Sequence, residues 1–258
     1  MKIKSILTIV ILALASRTLY AQNARFVTQG VIEYEKKVNM LALITERIKK
    51  NKDDTWGQKI LEDYKKNKPQ FKILKSNLTF SNGKTLFTPV AEEVMDNSWF
   101  DFEQAKQNNV LYTNTLNGTS TVQKKIFEET YLVKDSTRKI NWKLTDEIRN
   151  IAGYDCRRAN AVIMDSIYVV AFYTDEIPVS GGPESFTGLP GMILGLALPK
   201  EHITWFATSV SDQPVTEAQL KEPTKGKPTD NKKLSIILKD ALKDWGNYAL
   251  DILRAVSI

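Results

Sequence analysis

The chain has 258 residues, of which 9% are aromatic and 26% are charged, and its formal net charge is +6. This length and aromatic content favour a globular protein with a buried core and argue against a disordered chain. Three basic residues fall within residues 1–21, so the rest of the chain carries only +3. Because no basic stripe with interleaved aromatic residues is present, the charge does not indicate a nucleic-acid partner.

Residues 1–21 have the three parts of a cleavable export signal. Two lysines precede an apolar run at residues 6–15, and Ala21 ends a Leu-Tyr-Ala sequence. The run is about half as long as a membrane-spanning helix requires, and no cysteine follows it that could carry a lipid. We therefore predict cleavage after Ala21, no transmembrane anchor after cleavage, a periplasmic or secreted location, and one domain over residues 22–258.

The first part of that domain predicts a strand followed by helical structure. Residues 31–40 alternate apolar and polar side chains, which indicates a strand with one buried face. Apolar residues between positions 41 and 66 then recur at roughly helical spacing. The pattern is interrupted near Asp53 and Gly57, so we expect one broken helix or two short ones.

The middle of the chain is rich in predicted strands. Residues 71–90 alternate around Asn82-Gly83, which predicts a two-residue hairpin turn. Residues 96–103 crowd three aromatic side chains among acids, which favours burial in the core, with an exposed recognition patch as the alternative. Further strands are predicted at 110–116, at 121–133 after a turn at Asn117-Gly118, at 139–144, at 154–164 and at 167–174.

The C-terminal part predicts two more strands and a helix. The strands are expected at 192–198 and 202–210, and a Pro- and Lys-rich linker follows at 212–230. Asp230 is positioned to cap a helix over residues 231–256. One apolar face of that helix is expected to cover the sheet, and it comprises Leu234, Leu238, Leu242, Trp245, Ala249, Ile252 and Val256. The predicted fold class is α+β, with a large, mostly antiparallel, curved sheet, an N-terminal helical segment and a C-terminal amphipathic helix.

A long loop rich in Gly and Pro joins two apolar strands at residues 175–191. Loops of this length inside a compact domain are usually functional or mobile. Pro190 and Gly191 fit the central positions of a type II turn, which requires a positive φ at Gly191, and Leu189 is held extended by the proline that follows it. We therefore predict a ligand- or partner-binding loop comprising Asp175, Glu176, Ile177, Pro178, Gly181, Gly182, Pro183, Phe186, Gly188, Leu189, Pro190 and Gly191.

The hexapeptide GLPGMI at residues 188–193 resembles the GLPGLI family of exported bacterial envelope proteins. The resemblance extends over about residues 131–227, and it includes INWKL (140–144), IRNIAGYDCRRA (148–159), AFYTDEIP (171–178) and PTKGK (223–227). Phe172 replaces a common Trp, and Gly195 replaces a common acid, so a family role that needs that carboxylate is in doubt. The resemblance implies export, an envelope setting and a mostly antiparallel sheet, and it implies no established activity.

Cys156 and His202 are the single cysteine and the single histidine of the chain. One of each excludes an intramolecular disulfide and the usual zinc ligand sets, so we predict no metal and no cofactor. Free cysteines are among the most buried residues, and we expect Cys156 to lie in the core. Adjacent acids such as Asp175 and Glu176, or Glu128 and Glu129, are not expected to form an acid/base pair, because neighbours in a strand point to opposite faces.

Three functions are compatible with these features, and the first is a non-catalytic binding or carrier module for an apolar ligand or a lipidated protein. In that hypothesis the concave face of the sheet holds the ligand and the loop at 175–191 is the gate. The second is a protein-interaction accessory of an outer-membrane receptor or assembly, which would use a sheet edge or this loop. The third is an enzyme, for which the sequence offers only Cys156 with His202 as nucleophile and base.

Overall fold

The computed structural model describes residues 26–50, 55–91, 102–106 and 109–258. They form an α+β fold around one sheet of twelve strands. The strands are β1 (Gln29–Asn39), β2 (Phe71–Ser81), β3 (Lys84–Pro89), β4 (Asn109–Asn114), β5 (Thr119–Ile126), β6 (Glu129–Ser136), β7 (Lys143–Ile151), β8 (Tyr154–Ile163), β9 (Ile167–Thr174), β10 (Met192–Leu198), β11 (Ile203–Ser211) and β12 (Lys227–Thr229). The described helices are α1 (Met40–Lys50), α2 (Thr55–Asn67), α3 (Asn231–Ala241) and α4 (Asn247–Ser257).

The sheet is open and almost entirely antiparallel. Its strand order is β12-β6-β5-β4-β3-β2-β1-β11-β10-β9-β8-β7, and only β12 and β6 pair in parallel. The chain thus builds two antiparallel runs, β2 to β6 and β7 to β11, and β1 joins them by pairing with both β2 and β11. The predicted fold class is confirmed.

The sheet curves strongly around its inner face. Four strand-to-strand steps separate β3 from β10, which is about 19 Å in a flat sheet. A Cβ placed on Gly181 would nevertheless lie 3.0 Å from Thr85 on β3 and 3.3 Å from Met192 on β10. The two strands therefore face each other across the loop that carries Gly181.

Local sequence explains the elements that the pattern predicted correctly. Alternate residues of β1 are buried, as the alternation requires. At the β2–β3 turn, Asn82 and Gly83 have φ of 50° and 71°, which are the left-handed angles of a type I′ hairpin. At the start of α3, the Asp230 carboxylate accepts a 2.8 Å hydrogen bond from the Lys233 backbone N–H, so the predicted cap is confirmed.

Two helices follow β1, as expected. Four apolar residues of α1 are buried, and they are Met40, Leu43, Ile44 and Ile48. Gly57 lies inside α2, so the prediction of a break there is wrong, because the packed apolar face of that helix outweighs the cost of one glycine. The predicted break near Asp53 lies outside the described residues.

Two strand predictions in the middle of the chain are wrong. The single strand expected at 121–133 is a hairpin of β5 and β6 that turns at Phe127, whose φ is 54°. No glycine or asparagine marks this turn in the sequence. The strand expected at 139–144 begins only at Lys143, because the residues before it run from β6 to the sheet edge without a strand partner.

The C-terminal helix is two helices. The chain breaks between α3 and α4 at Gly246, whose φ is 56°, so the apolar face does not continue in one line. Trp245, expected on the covered face, is 46% exposed as a result. The segment predicted as a linker also carries structure, a 3-10 turn at Glu217–Leu220 and strand β12.

The predicted export signal and most of the aromatic segment at 96–103 lie outside the described residues. Within that segment, Phe102 is buried, which agrees with a core position for this side chain. Across the described parts of the chain, no helix is both long enough and apolar enough to cross a membrane.

Candidate functional site

The loop at 175–191 is packed against the inner face of the sheet. Among the residues predicted to bind a ligand or partner, the buried ones are Ile177, Gly181, Gly182, Pro183, Phe186, Leu189 and Gly191, and the exposed ones are Asp175, Glu176, Pro178, Gly188 and Pro190. The apolar side chains of the loop therefore belong to the core. The loop predicted as a gate forms a packed layer inside the curve of the sheet.

Backbone hydrogen bonds hold this layer in place. Gly181 O accepts from Ile193 N–H at 2.8 Å, and Ile177 O accepts from Met192 N–H at 3.1 Å. The ring of Phe186 lies 6.4 Å from that of Trp205. The loop is thereby joined to the start of β10 and to the middle of β11.

The GLPG segment differs from the predicted type II turn. Gly188 has a φ of 94°, whereas Gly191 is not among the described glycines with positive φ. The need for glycine at 191 comes from close approach, since a Cβ there would lie 2.0 Å from Thr174 O. The physical reason is that β9 and the segment entering β10 run side by side at this point and leave no room for a side chain.

A cleft of about 900 Å³ opens between the inner face of β4–β6, the α3–α4 pair and the β8–β9 turn. Its size lies in the range of small-molecule sites. Polar residues make up most of its lining, and its apolar wall comprises Leu111, Val122, Val162, Ile163, Met164, Leu234, Leu238, Leu250, Leu253, Val256 and Ile258. At its mouth Val162 is 58% exposed and Leu250 is 65% exposed, so apolar surface is left open there.

The floor of the cleft comes from the 175–191 loop, through residues that the sequence did not single out. Glu184, Ser185 and Thr187 line it. The Glu184 carboxylate is 7% exposed, and Asn109 on β4 donates a 3.2 Å hydrogen bond to it. The predicted site residues therefore hold the loop against the sheet, and Glu184, Ser185 and Thr187 of the same loop form the floor of the cleft.

A smaller cavity of about 50 Å³ adjoins the inner end of the cleft and shares Lys124 and Glu184 with it. Lys36 and Trp205 also line this cavity, and the Lys36 ammonium lies 5.1 Å from the Trp205 ring centroid. Burial lowers the pKa of Lys36 to about 8, and the charge of Glu184 partly opposes that shift. The pKa of Lys124 is lowered to about 8 for the same reason.

Three side chains bind successive backbone carbonyls at the end of α4. Lys124 donates to Val256 O at 2.5 Å, Arg138 donates to Ser257 O, and Ser185 donates to Ile258 O at 2.9 Å. The last carbonyls of a helix have no partner within it and carry the negative end of the helix dipole. Two cations of the cleft thus cap α4 and fix it across the opening.

The Cys156–His202 pair is not assembled. Cys156 is fully buried, as predicted, and burial raises the pKa of its thiol to about 12. The His202 ring instead lies 2.8 Å from the Glu46 carboxylate. Over the described ranges, no group of three or more His, Cys, Asp or Glu residues could hold a metal ion.

Comparison with known proteins gives a partial family match and a fold match. A model of the family described as "Protein of unknown function (Porph_ging)" matches residues 161–195, which run from the end of β8 through the loop into β10. This family carries a different name from the GLPGLI family, so that resemblance remains a prediction. No curated protein matches the chain.

Two solved structures of PNGF-II resemble this chain. The structure in the P21 crystal form has a TM-score of 0.50 and 16% identity, and the match covers 81% of this chain and 33% of that chain. The structure in the C2 form has a TM-score of 0.49 and 16% identity over 84% of this chain and 33% of that chain. The chain therefore spans about a third of the length of PNGF-II, and at this identity the likeness shows the fold alone.

Proposed function

We propose that the protein is a non-catalytic binding module that holds an apolar molecule, or the lipid chain of a lipidated protein, in the cleft beneath α3 and α4. The predicted export signal supports action in the periplasm or outside the cell. The observation that carries the proposal is the cleft of about 900 Å³, whose lining includes an apolar wall. Soluble proteins rarely leave such a wall open unless something binds to it.

The placement of the cleft also favours a ligand site. One wall consists of sheet strands and the opposite wall consists of two helices. The floor is the packed 175–191 loop, whose backbone is hydrogen-bonded to the sheet. A site carried by rigid elements keeps its shape without a ligand and loses little conformational entropy on binding.

A neutral fluorescent probe, N-phenyl-1-naphthylamine, tests the proposal. We expect the wild-type protein to bind the dye, because its aromatic rings can fill the apolar cleft. Replacing Leu253, which lines the cleft, with Trp should narrow the space along the apolar wall and lower the affinity at least tenfold. The matched control is Ile73→Trp on β2, where the side chain is 50% exposed and outside the cleft.

Two outcomes would count against this function. One is a wild-type protein that does not bind the dye, and the other is a Leu253→Trp variant that is folded by circular dichroism and binds as well as the Ile73→Trp control. Mass spectrometry of an organic extract from the purified protein is an independent measurement. It should detect a co-purifying apolar molecule that the Leu253→Trp variant lacks.

The alternative function, an interaction accessory, has one observation in its favour. Edge strand β7 is paired only with β8 in the described sheet, and its Leu144 and Ile148 are 49% and 66% exposed. Its register is irregular between those two residues, and it carries Lys143, Asp146, Glu147 and Arg149. Both features oppose the pairing of another strand, so a partner would contact the exposed apolar side chains and would not extend the sheet. Loss of an envelope crosslink on changing Ile148 to Lys would favour this function over the cleft.

A further inference from the structure

The inner end of the cleft holds more positive than negative charge. Lys124 and Arg138 line the cleft, Lys36 lines the adjoining cavity, and Glu184 is the carboxylate whose charge acts on both lysines. Glu103 also acts on Lys36, but it forms a 2.6 Å ion pair with Lys106. Lys72 adds a further positive charge near Lys36. Buried charge is costly unless it is fully paired. Because side-chain cations outnumber side-chain carboxylates here, we expect this end of the cleft to favour an incoming anion.

The donors in this region are also incompletely used. An ammonium offers three N–H donors, and the bond from Lys124 to Val256 O is its one hydrogen bond among the described residues. Arg138 bonds to Ser257 O through Nη2, whereas its Nη1 is buried without an acceptor in the described chain. Trp205, in the adjoining cavity, likewise has a buried Nε1 without an acceptor there.

The apolar wall and the donors of Lys124 and Arg138 line the same cleft. Leu253 and Val256 of α4 line the same cleft as Lys124 and Arg138. Lys124 and Arg138 are close enough for the charge of Arg138 to lower the pKa of Lys124. A molecule lying along the apolar wall would therefore bring its end group to the two cations.

We infer that the ligand is an amphipathic carboxylate whose apolar chain lies against α4 and whose acidic group is bound by Lys124 and Arg138. This inference rests on the proposed function, because it assigns the chemistry of the same cleft. Carboxylate oxygens accept charge-assisted hydrogen bonds from lysine and arginine, and these are about twice as strong as neutral ones. The acid would use the free donors of both side chains and compensate their charge, without displacing the carbonyls of α4.

Binding of dodecanoate, measured by isothermal titration calorimetry at pH 7.0 and compared with dodecanol, tests the inference on the unmodified protein. Both probes have the same apolar chain, and they differ in the charge of the end group. We expect dodecanoate to bind at least tenfold more tightly. Acetate, which carries the acid without the chain, should bind more weakly than either.

Variants then assign the preference to residues. Lys124→Met and Arg138→Gln should each reduce the acid-over-alcohol preference about tenfold, and because both side chains also hold the end of α4, the dodecanol affinity of each variant is the reference for that ratio. The matched control is Lys139→Met, because Lys139 also lines the cleft but is exposed. That variant should keep the preference. Thermal unfolding of each variant confirms that the fold is retained.

The outcomes separate the two proposals. If the acid and the alcohol bind equally, or if the preference survives both variants, the carboxylate assignment is wrong and the binding module stands. If neither probe binds, the cleft is not a site for apolar chains and both proposals are wrong. Acetate binding as tightly as dodecanoate would show an anion site without a role for the apolar wall, which also overturns the inference.

Discussion

Lys124 on β5 donates a 2.5 Å hydrogen bond to the carbonyl oxygen of Val256, the penultimate residue of α4. This bond joins a buried cation to the end of a helix that lies across the cleft. It explains how a lysine can be buried here, because the helix terminus supplies partial negative charge. The protonation of Lys124 therefore depends on the contact between β5 and the end of α4, which exists only in the folded chain.

The pH dependence of unfolding should reveal this lysine. The pKa of Lys124 is about 8 in the folded chain and 10.5 as the unperturbed reference, so between these values the unfolded state binds more protons. Its contribution to the free energy of unfolding therefore rises with pH by about 1.4 kcal/mol per pH unit in that window. Glu184 and Arg138 are the charged groups that modulate its pKa.

Urea unfolding of the wild type and Lys124→Met, compared at pH 8, 9 and 10, measures this contribution. The difference between the two proteins removes the opposing effects of other groups, such as Tyr34, whose pKa is raised by burial. The wild type should gain stability relative to the variant as the pH rises. If the difference in the free energy of unfolding between the two proteins stays constant with pH, folding does not lower the pKa of Lys124.

Phe186 should be the main anchor of the 175–191 loop. It is fully buried and packs against Trp205. Phe186→Ala should lower the free energy of unfolding by about 3–5 kcal/mol, since it creates a cavity in a packed core. Asp175→Ala, at an exposed position of the same loop, should change it by less than about 0.5 kcal/mol. Equal effects in chemical denaturation would contradict a packed loop.

Position 191 should accept only glycine, because the neighbouring backbone leaves no room for a side chain. Gly191→Ala places a Cβ 2.0 Å from Thr174 O and should cost about 3 kcal/mol or more, because backbone must move. Gly153→Ala is the matched control, since its φ is 89° but no atom lies within 4 Å of its Cβ. Gly153→Ala should lower the free energy of unfolding by only about 1–2 kcal/mol, which is the strain of placing an alanine at positive φ. Similar losses of stability in the two variants would argue against close approach.

Cys156 should be unreactive while the protein is folded. Its thiol is fully buried, and burial raises its pKa to about 12, so almost no thiolate exists at pH 8. Iodoacetamide should leave the folded protein unmodified and should label the urea-unfolded protein completely, as read by intact mass. Rapid labelling of the folded protein would restore Cys156 as a candidate nucleophile.

The sequence predicts elements where local chemistry decides the structure. Asn82-Gly83 specifies its turn because both residues accept positive φ, and Asp230 specifies a helix start because its carboxylate binds the backbone. Phe127 makes a turn without either signal, held by the pairing of β5 with β6. Gly246 marks a break that the apolar spacing around it conceals.

The site was less predictable because its charged residues meet only through long-range packing. Lys36 had a readable signal, since it shares the buried face of β1 with Ile32 and Tyr34. No local pattern marks Lys124 or Arg138, which reach the cleft because the sheet curves and α4 returns to it. The loop predicted as the binding segment adjoins the cleft, and its residues that line the cleft are Glu184, Ser185 and Thr187.

Photo-crosslinking with a dodecanoate analogue that carries a diazirine on its chain tests the central claim, that the cleft is the binding site. Mass mapping of the labelled peptides reports where the chain lies. The account predicts labels on β4, β5 and α4, above all at Leu111, Val122 and Leu253, and their loss in the presence of excess dodecanoate. Labels confined to the exposed β7 residues Leu144 and Ile148, or labels that excess dodecanoate does not reduce, would contradict it.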